Sequence, residues 1–169
     1  MPITNYTDLL DGASLYEGQI ANLESAVIRT GVNADSTNSI LVFGRGLVKG
    51  TGDKDLILPV DANSVLMGIA VATDTFEKRS GFSINSDGDL GYPLYWAVSY
   101  LVRGIIGVKV QQNVTPASAV YWIHTPQTGQ RKGQFRADAD TNRAVQITNA
   151  RFLKSATAGS VVPLSINLA

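Results

Sequence analysis

Val65-Leu66-Met67-Gly68-Ile69-Ala70-Val71-Ala72 is the stretch that decides the fold class. Side chains alternate along a strand, so Val65, Met67, Ile69 and Val71 share one face, and Gly68, Ala70 and Ala72 share the other. Upstream, Ile40 to Lys49 is a candidate strand containing Gly44 and Gly46, and such glycines mark bulges or sharp bends. Leu56 to Val60 is a short apolar run before an Asp-Ala-Asn turn. Downstream, Leu94 to Val102 and Ile105 to Gln112 flank Arg103-Gly104, as a hairpin or a sharply bent strand would. Val120 to His124 is short and aromatic. Ala144 to Lys154 and Ser160 to Leu168 flank the small-residue loop 155–159, a further hairpin. Pro163 has no N–H to give a ladder, which predicts an edge strand or an unpaired position. Gln19 to Arg29 is the best helical candidate. Turn signals and 16 glycines complete a mainly β pattern, a compact β-barrel or β-sandwich body.

The first 37 residues differ from the rest. They are polar and rich in Asn, Thr and Ser, with scattered apolar side chains. This predicts an extended N-terminal arm over 1–37, ordered by partner subunits, and a β-rich body over 38–169. Leu15, Tyr16, Ile20 and Leu23 are the expected apolar anchors of an inter-subunit interface.

Composition narrows the function. The 169 residues suit one domain, large enough to hold a core without disulfides or metals. Charged residues make up 17%, below the usual share of about 25%. Less charge leaves more neutral surface for contact with other subunits. Fourteen basic residues balance 14 acidic ones, and Lys78-Arg79 and Arg131-Lys132 are isolated pairs. No basic field is present to release counterions from nucleic acid. The chain has no cysteine, which removes disulfide frameworks, zinc ribbons and thiol nucleophiles and fits a reducing compartment. Met1 to Leu10 lacks the basic start and apolar run of a signal peptide. Tyr92 to Val110 is broken by Pro93, Ser99, Arg103, Gly104, Gly107 and Lys109, so no membrane span is expected.

Motifs for chemistry fail at their demanding positions. His124 is the sole histidine, and no Gly-x-Ser-x-Gly elbow accompanies it. Asp138-Ala-Asp140-Thr-Asn142 copies the first three ligand positions of an EF-hand. Arg143 then stands where the turn needs Gly, and Asn149 where a bidentate Glu is needed. Asn85-Ser-Asp87-Gly-Asp89 is a standard Asp-Gly turn. Gly44-Arg45-Gly46 and Gly50-Thr51-Gly52 lack the Lys-Ser/Thr and the helix of a phosphate loop. The expectation is therefore no catalytic, cofactor or metal site. The aromatics Tyr92, Tyr95, Trp96, Tyr100, Tyr121 and Trp122 gather in the second half. In regular strands the neighbours Tyr95 and Trp96, and Tyr121 and Trp122, would point to opposite faces and call for burial on two sides.

Several stretches carry a family likeness. They are Tyr16-Glu17-Gly18-Gln19-Ile20-Ala21, Phe43-Gly44-Arg45-Gly46-Leu47-Val48-Lys49-Gly50 with Leu56-Ile57-Leu58-Pro59, and Met67-Gly68-Ile69-Ala70-Val71-Ala72-Thr73. Further on are Val102-Arg103-Gly104-Ile105-Ile106-Gly107-Val108-Lys109-Val110, Ala119-Val120-Tyr121-Trp122, Asn149-Ala150-Arg151-Phe152-Leu153 and Ala158-Gly159-Ser160-Val161-Val162. Through these the chain resembles the structural cement (capsid decoration) proteins of tailed bacteriophages. The resemblance implies a non-enzymatic protein with no cofactor, bound outside the head at three-fold or quasi-three-fold positions. It implies a homotrimer, with the major capsid protein as partner, made in the bacterial host cytoplasm and located on the virion. The alternative is a phage tail or adhesion module that binds carbohydrate through Trp96 and Trp122, with calcium at Asp138 and Asp140. A third reading is a small β hydrolase acting through His124.

Overall fold

The computed structural model describes residues 15–73 and 83–168; within the first strand, the side chains of 22–25 lie outside the described residues. Twelve strands follow in chain order among them. They are β1 (Ile20–Asn33), β2 (Ile40–Val42), β3 (Gly46–Lys49), β4 (Asp55–Ile57), β5 (Leu66–Ala70) and β6 (Gly91–Pro93). Then come β7 (Ala97–Lys109), β8 (Tyr121–Ile123), β9 (Phe135–Arg136), β10 (Ala144–Gln146), β11 (Ala150–Phe152) and β12 (Val161–Asn167).

The two long strands organise the molecule. β1 and β7 pair antiparallel from Ile20 opposite Ile106 to Val32 opposite Ala97. The circuit β1-β4-β3-β5-β7 returns to β1 and closes a five-stranded barrel, with β12 and β11 added beside β7. Closure removes exposed sheet edges, the liability of an all-β chain. Two small sheets, β10-β8-β9 and β2-β6, complete the fold.

β7 feeds two hydrophobic clusters, and one glycine makes that possible. Before the bend, Val98, Tyr100 and Val102 pack with Leu41, Phe43, Leu47 and Tyr92. After it, Ile106 and Val108 pack with Trp122, Phe135, Phe152 and Leu164. Even-numbered residues thus face one cluster and then the other. Gly104, at φ 137°, stands where that phase inverts. A side chain there would be strained, since that backbone region is reserved to glycine. The Arg103-Gly104 pair is therefore a bend within one strand, not a hairpin.

Other expectations change for local reasons. The best helical candidate, Gln19 to Arg29, lies in β1 from Ile20 onward. Its β-branched Val27 and Ile28 suit a strand, and β7 supplies the ladder. The run Ile40 to Lys49 breaks at Gly44 (φ 69°), where an added Cβ would lie 2.4 Å from Glu17 Cγ. Ala144 to Lys154 breaks into β10 and β11 so that Ile147 can turn inward, its N–H donating to the Val120 carbonyl. Pro163 does not lie at an edge: β12 runs between β7 and β11. Its carbonyl accepts from Leu153 N–H, and the Leu153 carbonyl, which a residue other than proline would pair, belongs to an exposed position just past the last β11 pair, so the unpaired position is tolerated. Residues 20–33, placed at sequence level in the arm, form a barrel strand.

Candidate assembly interface

The chain crosses the barrel at residues 15–19 before entering β1. Gly18 N–H donates to the Gly107 carbonyl (2.8 Å), Gly107 N–H donates to Gln19 (2.8 Å), and Ala72 N–H donates to Gly18 (2.8 Å). Gly18 sits at φ 85°, and a Cβ there would meet Phe43 Cβ at 2.8 Å and the Gly44 nitrogen at 2.9 Å. Only glycine allows this approach. The crossing aims the Glu17 side chain inward at Arg45.

Arg45 is 2% exposed, on the link between β2 and β3. Its Nε lies 3.0 Å from Glu17 Oε1, an ion-pair distance at an angle outside hydrogen-bond geometry. Its Nη2 donates to Asp89 Oδ2 at 3.2 Å. Burial pushes the Glu17 carboxyl above its ordinary range, against the pull of Arg45, with Asp89 raising it and Lys109 lowering it further. Burial likewise lowers Arg45, opposed by the charges of Glu17 and Asp89. A carboxyl raised in the fold supports stability below its unfolded value near 4.5, and that support is lost as pH rises through the folded value. Glu17→Gln, which mimics the neutral form, should therefore be at least as stable as wild type at about pH 7. Thermal melts across pH should show it flattening the decline that wild type undergoes above about pH 4.5.

The sequence-predicted anchors lie around this crossing. Leu15 is half-buried and lines a cavity of about 720 Å³ with Val114, Ala156, Val161 and Val162. Tyr16 is 47% exposed. Ile20 packs against the core beside Ile106. The side chain of Leu23 lies outside the described residues. Val27 and Ile28 of β1, two of the scattered apolar residues of this segment that were not among the expected anchors, are also exposed.

The candidate chemical groups are engaged elsewhere. Buried His124 has Nδ1 at 2.9 Å from Thr125 Oγ1, while Nε2 has no hydrogen-bond partner among the described residues, none of which supplies the orienting carboxylate that a triad requires. Asp138 and Asp140 face Arg136, with Nη2 at 2.7 Å from Asp138 Oδ1 and Nη1 at 2.5 Å from Asp140 Oδ2. Gln112 donates to Asp138, and Gln130 donates to Asp140. The Gln112 bond first, with help from Arg136, holds the Asp138 carboxyl below its ordinary range. A guanidinium occupies the place a cation would need. Among the described residues no group of three His, Cys, Asp or Glu side chains is placed to hold a metal.

The aromatics divide in two. Trp122 is buried in the core, so it offers no surface for a sugar. Tyr92 is also buried, and its hydroxyl donates to the Val71 carbonyl at 2.6 Å. Tyr95 and Trp96 lie in the turn between β6 and β7, not in a strand, and both are exposed. Alternation does not apply to them.

Comparison with known proteins adds the family. The model of the family described as "Structural cement protein (E217 gp24/Pam3 gp6)" matches residues 4–167. No curated protein matches the chain. Among solved structures, a chain of "The capsid of Myoviridae Phage XM1" superposes with a TM-score of 0.65 at 19% identity, covering 90% of this chain and 90% of that chain. At that identity the likeness is one of fold. The family match runs almost end to end, and so the chain belongs to the structural cement proteins of phages and is a structural protein, not an enzyme.

Proposed function

We propose that the protein binds the exterior of a bacteriophage head and stabilises the mature, expanded shell. The observation that carries this reading is the family match over residues 4–167. Its partners are the major capsid protein and further copies of itself as a homotrimer. It is made in the bacterial host cytoplasm and resides on the virion. A ligand that binds the expanded lattice better than the unexpanded one shifts the equilibrium toward the expanded form. Copies grouped about a symmetry axis add avidity. No step of this role needs a titratable active site.

The N-terminal segment supplies inter-subunit contact, with Leu15, Tyr16, Ile20 and Leu23 on or beside its root. The test is saturable binding to expanded heads prepared without the protein, with unexpanded heads as control. Deleting residues 2–14 keeps Glu17 and all of β1 in the chain, and should weaken that binding more than about tenfold. Light scattering should give about three times the 18.0 kDa chain mass. Equal binding to both kinds of head would defeat the proposal.

A further inference from the structure

At the root of the N-terminal segment an apolar groove of about 720 Å³ lies beside the chain. We propose that Leu9 and Leu10 of the same chain seat in this groove and tie the segment to its own body. The inference concerns the free protein and stands apart from the capsid-binding role.

The first observation is where the described chain begins. Leu15 and Val161 meet over Gly107 of β7: a Cβ at Gly107 would lie 3.4 Å from Leu15 Cβ and 3.2 Å from Val161 Cγ1. Leu15 is thus already one wall of the groove, and residue 14 continues from it. The second is reach. Leu10 stands five residues before Leu15, and five residues extend to about 17 Å, enough to cross a space of this volume. The third is chemistry. Val114, Ala156, Val161 and Val162 line the groove with Leu15, and Leu15, Ala156 and Val161 are only half-buried. Apolar side chains seated there would remove that surface from water. Lys154 is the one charged residue among the described residues of the lining. The preceding segment reads Asp8-Leu9-Leu10-Asp11, and residues 1–14 contain no Lys or Arg. An apolar pair flanked by two carboxylates therefore complements an apolar groove edged by one ammonium group.

These features favour the chain's own segment over a second copy or a capsid chain. A tethered segment meets its groove at an effective concentration on the order of millimolar, and a separate chain would have to displace it. Seated so, Leu9 and Leu10 leave residues 1–8 as the length available to a neighbour.

Hydrogen exchange on the free protein tests the seat. At the groove, Val114 N–H donates to the Ala156 carbonyl at 2.9 Å and Ala156 N–H donates to Val114 at 3.0 Å. In the variant Leu9→Ser, Leu10→Ser these two amides should exchange about tenfold faster than in wild type, while those of β5 keep their rates. The chain has no cysteine, so an introduced pair reports the neighbour directly. Under mild oxidation Leu10→Cys with Ala156→Cys should link within one chain. It should do so more than about fivefold faster than Thr4→Cys with Ala156→Cys, which shares the tether but lies outside the apolar pair. Unchanged exchange at Val114 and Ala156, or equal rates for the two cysteine pairs, would overturn the proposal. Links giving twice the 18.0 kDa chain mass would assign the groove to a second copy and overturn it too. So would protection of these amides that arises only on expanded heads, which would assign the groove to a capsid chain. Failure of the protein to bind heads would bring down the capsid role and leave the seat standing.

Discussion

Arg45→Ala is expected to lower the unfolding free energy by about 3–5 kcal/mol, the cost of breaking a buried ion cluster on one side. Arg45 is fully enclosed, with Glu17 and Asp89 against it. Removing the cation leaves two carboxylates in a space that already penalises charge, and it leaves a cavity. The pH dependence has a definite sign. Without Arg45 the Glu17 carboxyl is held still further above its ordinary range. Such a group favours the fold below its unfolded value and loses that contribution as pH rises through the folded one. The deficit should therefore be larger at about pH 8 than at about pH 5 in denaturant titrations. The triple change Glu17→Gln, Arg45→Met, Asp89→Asn removes every charge of the cluster together and should recover most of the loss. Equal deficits for the single and triple variants would show that packing, not charge, makes Arg45 necessary.

Asn33→Ala should cost about 3 kcal/mol, although it deletes only an amide group. That amide is fully buried and has three partners: it donates to Tyr92 and Ser39, and its Oδ1 accepts from Asp35 N–H at 2.9 Å. Alanine leaves these backbone groups without partners in the interior, at about 1–3 kcal/mol for each that water cannot reach. The damage should extend beyond β1. Asp35 beside it accepts from Thr37, Asn38 and Leu58, tying the link between β1 and β2 to the end of β4. Hydrogen exchange should show lost protection over residues 33–39 and 92–96 and little change in β11 and β12. Uniform loss across the barrel would mean that Asn33 supports global stability, not this corner.

How much of this was legible in the residues depends on range. β12 follows from alternation alone, because Val162, Leu164 and Ile166 recur at every second position; in β5 the expected face holds only for Ile69 and Val71, since Val65 is exposed and Met67 packs with the other cluster, where the pairing with β3 shifts register. β7 was visible as two apolar pieces, and its bend at Gly104 was one of two readings left open. β1 was not legible as a strand. Its pairing shifts register between Ile20 and Asn22, between Asn22 and Val27, and between Val27 and Ile28, which erases the two-residue period. The parallel closure of β1 on β4 is a long-range pairing with no local signal. Arg45 was hidden for the same reason. Flanked by glycines it reads as a turn residue, and Glu17 and Asp89 meet it only in three dimensions. Tyr95 was misread because propensity does not place a tyrosine at positive φ; tertiary bonds to Asn33 impose it. The candidate metal aspartates show the converse, since their spacing was visible while the guanidinium of Arg136 between them was not.

The central claim is that this protein strengthens the expanded shell. The measurement that tests it most directly is the temperature at which filled heads release their DNA, followed by dye fluorescence, for heads made without the protein and the same heads after its addition. The account predicts that release moves to higher temperature as the protein is added and levels off once sites are filled, and that the variant lacking residues 2–14 needs a higher concentration for the same shift. Release at an unchanged temperature, with the protein bound, would contradict it.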